Sequence, residues 1–274
     1  MRKLSPTLFA LLLCTSLSAQ FFDFGFNFGS TFYSGDISTG DIRQMIQEMR
    51  PAGGIMCRIS SSNTFSTRIN LNFGSVQGDD TRVNREARGL AFRTDIVEFN
   101  LIGEWHALRI RHSEYNFTFP YLFGGAGVYH FNPQREVDGE WVELQPLGTE
   151  GQGIRGYQDP YSLTQFQIPM GAGIKFITRK LTFSIEAGGR YLFTDHLDDV
   201  SGAQVNHRDI YLNNGPLAAR LSNPSLGGEA GVNREYRRGS NAKDWFYMMN
   251  ISVSYNFGED ISRMLADPVP CINW

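Results

Sequence analysis

The chain has 274 residues, with 25 Lys and Arg against 28 Asp and Glu, which gives a formal net charge of −3. A balance this close to neutral excludes a strongly basic nucleic-acid-binding surface and an acidic solvating tail. Aromatic residues reach 13% and glycine numbers 29, a composition typical of β-rich proteins. The mean hydropathy of −0.28, without a long apolar run after the N-terminus, excludes a protein with several membrane-spanning helices.

The N-terminal residues carry the pattern of a secretory signal peptide. Two cations at the start are followed by an apolar run over 8–13, and Ala19 supplies the small residue that a signal peptidase requires. We expect residues 1–19 to be a signal peptide that is cleaved between Ala19 and Gln20. The alternative is a buried N-terminal helix.

Eight segments of the mature chain alternate apolar and polar residues with a period of two, which is the pattern of β-strands. In the last and clearest segment, Ile251, Val253 and Tyr255 face one way, while Ser252 and Ser254 face the other. No long stretch has the 3.6-residue period of a helix. In chain order, the segments are 22–29, 52–60, 65–73, 92–106, 118–131, 165–178, 181–188 and 249–257.

The connections between these segments alternate in length. Short links follow the second, fourth and sixth segments, near 61–64, 107–117 and 178–180, and long links fall at 34–50, 77–91, 132–164 and 195–244. Short turns at one end and long loops at the other are typical of outer-membrane barrels. The sequence therefore predicts an all-β fold over residues 20–257, an eight-stranded antiparallel transmembrane β-barrel with short periplasmic turns and long extracellular loops. A soluble β-sandwich is the alternative.

Charged residues on the polar faces of these strands are predicted to point into the barrel. The cations are Arg58, Arg68, Lys175 and Arg190, and the anions are Asp23, Glu98, Glu104 and Glu186. Four charges of each sign predict mutual ion pairs, because buried charges are tolerated when they are paired. An eight-stranded barrel is just wide enough for side chains to fill, so we expect no conducting pore. A lumenal water column with solvated charges is the alternative.

The chain continues beyond the last strand as the segment 258–274, which we predict to be a periplasmic tail. An even number of strands places both ends of the barrel on the side of the short turns. The side chains in the tail that are candidates for contact with a partner are Ile261, Met264, Leu265, Cys271 and Trp274. The alternative is a frayed terminus.

Motifs that carry chemistry are weak in this sequence. The segment 151–156 matches G-x-G-x-x-G but lacks the strand and helix that a dinucleotide site requires. The segment 195–199 has metal-ligand residue types without the spacing of a known cation loop. The sequence therefore predicts no catalytic, cofactor-binding or metal-binding residues, no cofactor, no nucleic-acid partner and no small-molecule substrate.

Several stretches of the chain are nevertheless similar to those of a known protein family, and the most specific are 141–153 and 193–202. Shorter ones are 34–36, 50–54, 90–96 and 120–127. Over nearly the whole mature chain they resemble the PorG family, outer-membrane barrels of the type IX (Por) secretion system of Bacteroidota. The resemblance implies a non-enzymatic barrel in the Gram-negative outer membrane, in contact with lipid.

The resemblance also implies a periplasmic partner. The PorG family associates with the ring built by the lipoprotein PorK and PorN, in the machine that exports cargo proteins and supports gliding motility. We therefore expect a subunit that anchors this ring to the outer membrane. The alternatives are a stand-alone structural or adhesion barrel and, less favoured, a lipid-modifying enzyme with its site at the barrel rim.

Overall fold

The computed structural model describes residues 21–38, 42–83, 88–113 and 115–257. The predicted signal peptide and C-terminal tail lie outside these residues. Eight long strands dominate the described chain: β1 (Phe21–Ser34), β2 (Arg50–Ser60), β3 (Phe65–Asp79), β4 (Ala91–His106), β5 (Phe117–Val137), β6 (Thr164–Ile177), β7 (Leu181–Leu192) and β8 (Trp245–Phe257).

The eight strands form one closed antiparallel sheet. Each strand pairs with its neighbours in the chain, from β1 with β2 through to β7 with β8. The first and last strands then pair with each other, from Phe22 opposite Phe257 to Ser34 opposite Trp245. The fold is thus a closed eight-stranded barrel, which confirms the predicted fold class and leaves the sheet without an open edge.

Strict alternation along the strands separates an outer face from an inner face. On β7, Ile185 is 59% exposed on the outside while its neighbours Ser184 and Glu186 are buried inside. The period of two follows from the pleat, because successive side chains point to opposite faces of a strand. Apolar side chains outside and polar side chains inside are the arrangement that a membrane barrel requires.

The connections divide between the two ends of the barrel as the sequence predicts. The links 61–64, 107–116 and 178–180 form a short-turn end, and the two termini of the sheet also lie there, because Phe22 pairs with Phe257 at that end. The four longer links form a long-loop end. Short strands occur in the links at Ile110–Arg111, Glu140–Glu143, Gln204–Asn206 and Glu235–Arg237.

Several strands are longer than the alternation pattern predicts, and all of them extend at the long-loop end. β3 continues to Asp79, β5 to Val137 and β7 to Leu192. The end of β5 pairs with the short strand Glu140–Glu143 as a hairpin. These extensions pack against loops as well as against neighbouring strands, so their side chains do not show the simple alternation of the membrane-facing part.

In the described parts of the long loops there are two α-helices, α1 (Ile42–Gln47) and α2 (His207–Ser222). The second was not expected from the sequence, which shows no long helical period. The reason is a break inside α2, where Gly215 has a φ of 93° and Pro216 follows, so two short helical pieces meet at a kink. Neither helix in the described ranges is long and apolar enough to cross a membrane.

The long loops fold over the mouth of the barrel and share an apolar core with the strand ends. The buried members come from β1, β3, β4, β5, β7, β8 and the loops between them. They are Tyr33, Ile37, Val76, Leu90, Phe92, Ile96, Tyr129, Phe131, Leu144, Tyr161, Leu192, Leu197, Val200, Leu221 and Phe246. We call this structure the loop cap. It closes the long-loop end of the barrel with a packed core.

Candidate functional site: the barrel interior and the loop cap

The structure places all eight predicted interior charges inside the barrel, each at most 4% exposed. Those on the first four strands are Asp23, Arg58, Arg68, Glu98 and Glu104, and those on the later strands are Lys175, Glu186 and Arg190. A water column beside these groups would leave them accessible to solvent. The low exposure therefore favours a filled interior over the alternative of solvated charges.

Glu104 is the centre of the larger interior cluster. Its carboxylate lies 3.1 Å from Arg58 Nε, 3.3 Å from Arg68 Nε and 2.9 Å from Lys175 Nζ. The cations come from β2, β3 and β6, so this one side chain joins opposite walls of the barrel. Arg58 and Lys175 donate charge-assisted hydrogen bonds to the carboxylate, and Arg68 adds an ion pair, so these contacts hold the walls at a fixed separation.

Two more carboxylates complete the larger cluster. Asp23 lies 3.3 Å from Arg58, and Glu186 lies 2.6 Å from Arg68 Nη2 while accepting a hydrogen bond of 2.9 Å from the Tyr121 hydroxyl. Three cations thus face three anions, and the cluster carries no net charge. Such balance is what a buried ionic cluster needs to be tolerated.

Arg190 belongs to a second, smaller cluster. The alternation pattern placed Arg190 and Glu186 together on the inner face of one strand, but the partner of Arg190 is Glu98, at 2.9 Å. Glu98 also accepts hydrogen bonds of 2.7 Å from both Asn72 and Gln167. Residues four apart on a strand lie more than 10 Å apart along it, so Arg190 pairs across the lumen rather than along β7.

Aromatic rings from β5 fill much of the remaining interior. Phe117, Phe119, Tyr121 and Phe123 all point inward and are 5% exposed or less. The Phe123 ring lies over the adjacent strand β6, where a Cβ at its register partner Gly171 would lie 2.6 Å from the ring. Glycine is required there because no larger residue leaves room for the ring.

These interior aromatic residues were not identified from the sequence. The segment 118–131 has apolar residues on both faces and glycine at 124, 125 and 127, so alternation could not show which face was the inner one. The residues of β5 therefore do not show by themselves that this strand fills the interior. Glycines that point inward on the neighbouring strands are an indirect signal, because they leave room for large side chains.

The outer face of the barrel forms an apolar belt. Representative side chains are Phe26, Phe28, Leu101, Ile185 and Ile251, which are between 49% and 65% exposed. Aromatic residues lie at both margins of the belt, with Trp105 and Phe257 near the short-turn end and Trp245 and Tyr247 near the long-loop end. An exposed apolar band between aromatic girdles fits a bilayer.

Cys57 lies on this outer face. Its strand neighbours in register are Phe24 and Ile69, both of which face outward. The described residues do not include the predicted partner-contact residues or the predicted cleavage site, which are Ile261, Met264, Leu265, Cys271, Trp274, Ala19 and Gln20.

Arg238 joins the two most specific sequence stretches inside the loop cap. Its guanidinium donates hydrogen bonds of 2.6 Å to Thr149 Oγ1 and to the Asp199 carbonyl oxygen, and lies 3.8 Å from Glu150. Glu150 in turn accepts hydrogen bonds from the Ser201 backbone and hydroxyl. Burial raises the pKa of Glu150, which the positive charge of Arg238 partly opposes. The segments 141–153 and 193–202 therefore form one buried polar network.

Two further carboxyl groups are buried beneath this network. The Tyr33 hydroxyl lies 2.6 Å from Asp198 and 3.1 Å from Asp244. Burial raises the pKa of both carboxyl groups well above the ordinary range, and the charge of Asp244 raises that of Asp198 further. The uncharged forms are favoured because burial of two neighbouring carboxyl groups outweighs their hydrogen bonds from the Tyr33 hydroxyl and from the Val200 and Leu197 backbone N–H groups.

Buried ion pairs and hydrogen bonds hold both the barrel interior and the loop cap together. The interior is filled by ion pairs and rings, and the loop cap closes one end, so the described barrel offers a rigid wall rather than a path for solutes. The segment 151–156 lies in a series of turns in which Gly151, Gly153 and Gly156 have positive φ, with no nucleotide-binding strand before it. The carboxylates of 195–199 are distributed among several hydrogen-bond networks of the cap.

Comparison with solved structures finds barrels of low sequence identity. The N-terminal β-barrel domain of Pseudomonas aeruginosa OprF is 10% identical over 87% of this chain and 98% of its own, with a TM-score of 0.36. Neisserial surface protein A is 9% identical over 88% and 98%, with a TM-score of 0.39. Ail, the attachment invasion locus protein of Yersinia pestis, is 11% identical over 87% and 97%, with a TM-score of 0.33.

No curated protein matches the sequence of this chain. A protein-family model does match, over residues 2–217, and its description is a domain of unknown function. The match covers most of the strands and the loop-cap stretches described above. The chain belongs to this family, DUF6089.

Proposed function

We propose that this barrel is the outer-membrane subunit of a type IX secretion system that anchors the periplasmic ring of PorK and PorN. The observation that carries the proposal is the filled interior, in which Glu104 ties three cations from separate strands. A barrel packed in this way resists deformation and gives solutes no path. It is suited to bear a mechanical load rather than to conduct.

The placement of the chain ends supports the same role. β1 begins and β8 ends at the short-turn end, where Phe22 pairs with Phe257. In outer-membrane barrels that end faces the periplasm, which is where the ring of this secretion system lies. The tail that follows Phe257 is apolar in part and starts from the right side of the membrane. The resemblance to the PorG family supplies the identity of the partner.

Deletion of residues 261–274 tests the proposal. We expect the shortened barrel to remain in the outer membrane, because the sheet closes without the tail, but to lose co-isolation with the ring and to block cargo export. Outer membranes of the mutant strain are isolated and probed separately for the barrel and for ring proteins. The matched control is Trp141→Ala at the long-loop end, a 49% exposed side chain that should leave ring contact and export unchanged.

The outcomes separate the possibilities. Normal co-isolation and export in the deletion strain would refute the tail as the contact and move it to the turns 61–64, 107–116 and 178–180. Loss of the barrel itself would show that the tail is a folding element. Failure of the native barrel to bring any ring protein with it would refute the secretion role.

A second candidate is a stand-alone structural or adhesion barrel, and the loop cap favours it. Its polar network around Arg238 organises a large surface at the end that would face the surroundings of the cell. An adhesion barrel would lose cell or surface attachment when the cap is altered while cargo export continued. A secretion subunit would keep attachment and export when the cap is altered and would lose cargo export when the tail is deleted.

A further inference from the structure

A polar cleft of about 470 Å³ opens in the loop cap. Its walls come from three stretches that are distant in sequence, 158–165, 193–203 and 241–243. The cleft lies outside the ion-paired interior, and the anchoring role proposed above makes no use of it. Its volume is in the range of sites that bind small molecules.

Asp195 lies in the cleft with an unpaired oxygen. The residue is 8% exposed, and its Oδ1 has no hydrogen-bond partner among the described residues. The neighbouring His196 has an unpartnered Nδ1, and its ring stacks on Tyr161 with centroids 4.5 Å apart. Buried polar atoms without partners are uncommon in folded proteins. Two of them on one cleft point to a ligand that supplies hydrogen bonds.

The charges around the cleft favour a neutral ligand. Lys243 lies on the same cleft and attracts the Asp195 carboxylate, so binding of a cationic ligand there is disfavoured. The negative charges of Asp36 and Glu150 repel the same carboxylate, and they would also repel an anionic ligand. A ligand that both donates and accepts hydrogen bonds without a net charge meets both conditions.

The remaining side chains define the chemistry further. Gln158, Gln165 and Asn241 contribute amides, each of which has donors and an acceptor. Phe193, which is 52% exposed, presents an aromatic surface at the edge of the cleft. Sugars combine hydroxyl groups that donate and accept with an apolar C–H face that stacks on aromatic rings.

We propose that this cleft binds a neutral saccharide, a mono- or disaccharide unit whose hydroxyl donates to Asp195 Oδ1. Lys243 and the amides donate to the other hydroxyl oxygens, and the sugar ring lies against Phe193. The binding is reversible and needs no chemical step. The sugar comes either from a glycan outside the cell or from lipopolysaccharide in the same membrane leaflet.

The test uses the full barrel in detergent micelles. The purified protein is applied to an array of neutral hexose and N-acetylhexosamine oligosaccharides, and separately to lipopolysaccharide in vesicles and to the oligosaccharide that mild acid releases from it. We expect saturable binding to at least one of these probes. Binding to the array alone identifies an external glycan, and binding to the lipopolysaccharide probes identifies a membrane glycan.

Two variants connect the binding to the cleft. Asp195→Ala removes the acceptor oxygens. Because burial raises the pKa of Asp195 to about 7, binding is measured at pH 8.5, and we expect affinity to fall about ten- to a hundred-fold, the range for a hydrogen bond to a charged group. Phe193→Ala removes the aromatic surface from the edge of the cleft. Because the ring is 52% exposed, the fold is kept while affinity falls.

The control is Glu140→Gln, an exposed carboxylate on the β5 hairpin, which should bind like the native barrel. All variants are checked for the heat-modifiable gel mobility of a closed barrel. Absence of saturable binding to every probe would overturn the proposal. Equal affinity in the native barrel and both cleft variants would also overturn it, as would competition by simple amines at lower concentration than by sugars.

Discussion

Replacing Glu104 with glutamine removes one negative charge from the centre of the larger interior cluster and keeps the volume of the side chain. In the native barrel the Glu104 carboxylate lies 3.1 Å from Arg58, 3.3 Å from Arg68 and 2.9 Å from Lys175. The variant leaves three buried cations with two carboxylates. One positive charge is then unmatched inside a wall of side chains that excludes water.

The expected cost follows from this imbalance. Removing one partner of a buried ion pair costs about 3–5 kcal/mol, and the glutamine oxygen still accepts one hydrogen bond, so we expect about 3 kcal/mol. The free energy of unfolding is measured by urea titration in lipid vesicles, followed by tryptophan fluorescence. The double variant Glu104→Gln with Lys175→Met removes one charge of each sign. It should recover about 1–2 kcal/mol, because the two changes act on one network.

The control is again Glu140→Gln, which lies on an exposed hairpin and should change the free energy of unfolding by less than about 0.5 kcal/mol. A cost for Glu104→Gln that is as small as the control would mean that water solvates the interior charges. The filled interior, and with it the argument for a load-bearing barrel, would then be wrong.

Three further predictions concern the outer face, the smaller cluster and the loop cap. Ile185→Arg should cost roughly 2–4 kcal/mol in the same vesicle assay, since a cation near the bilayer midplane is poorly solvated; a negligible cost would place this face outside the membrane. Arg190→Ala leaves the Glu98 carboxylate without its cation and should destabilise the barrel by about 3 kcal/mol. The variant should not open a conducting pore in planar bilayers, and a steady current would contradict the filled interior. Asp198 and Asp244 have raised pKa values when folded, so the stability they give is complete below about pH 4 and is lost as the pH rises towards the raised values. Hydrogen exchange of the segment 194–201 should therefore speed up with pH beyond its intrinsic dependence, and Asp198→Asn should weaken that extra acceleration; an unchanged pH response would refute the coupling.

Alternation was sufficient to predict the strands where one face meets lipid and the other meets polar groups. β8 is such a strand, with Ile251 and Val253 outside and Ser252 and Ser254 inside. The pattern fails on β5, where Phe119 and Phe123 face the interior and Leu122 faces outward. Both faces of that strand contact apolar surroundings, so polarity cannot distinguish them.

The inward direction of the eight charges could also be predicted, but their partners could not. Strand periodicity fixes which face a residue occupies, whereas pairing depends on the strand tilt and on how far each side chain reaches across the lumen. Arg190 therefore has Glu98 as its partner, and Glu186 has Arg68. The cleft that contains Asp195 could not be predicted either, because its walls come from loops and loops have no periodic sequence pattern.

The larger interior cluster has a consequence for the order in which the barrel is assembled. Its members lie on β1, β2, β3, β4, β6 and β7, so its contacts join residues such as Arg68 and Glu186 that are 118 positions apart. A nascent sheet of the first four strands balances Asp23 and Glu104 with two arginines, but it leaves Glu98 of the smaller cluster without Arg190, its partner from β7. Entry into the bilayer at that stage would carry incompletely neutralised groups with it, so membrane crossing and closure are coupled late events, and the high contact order makes them slow.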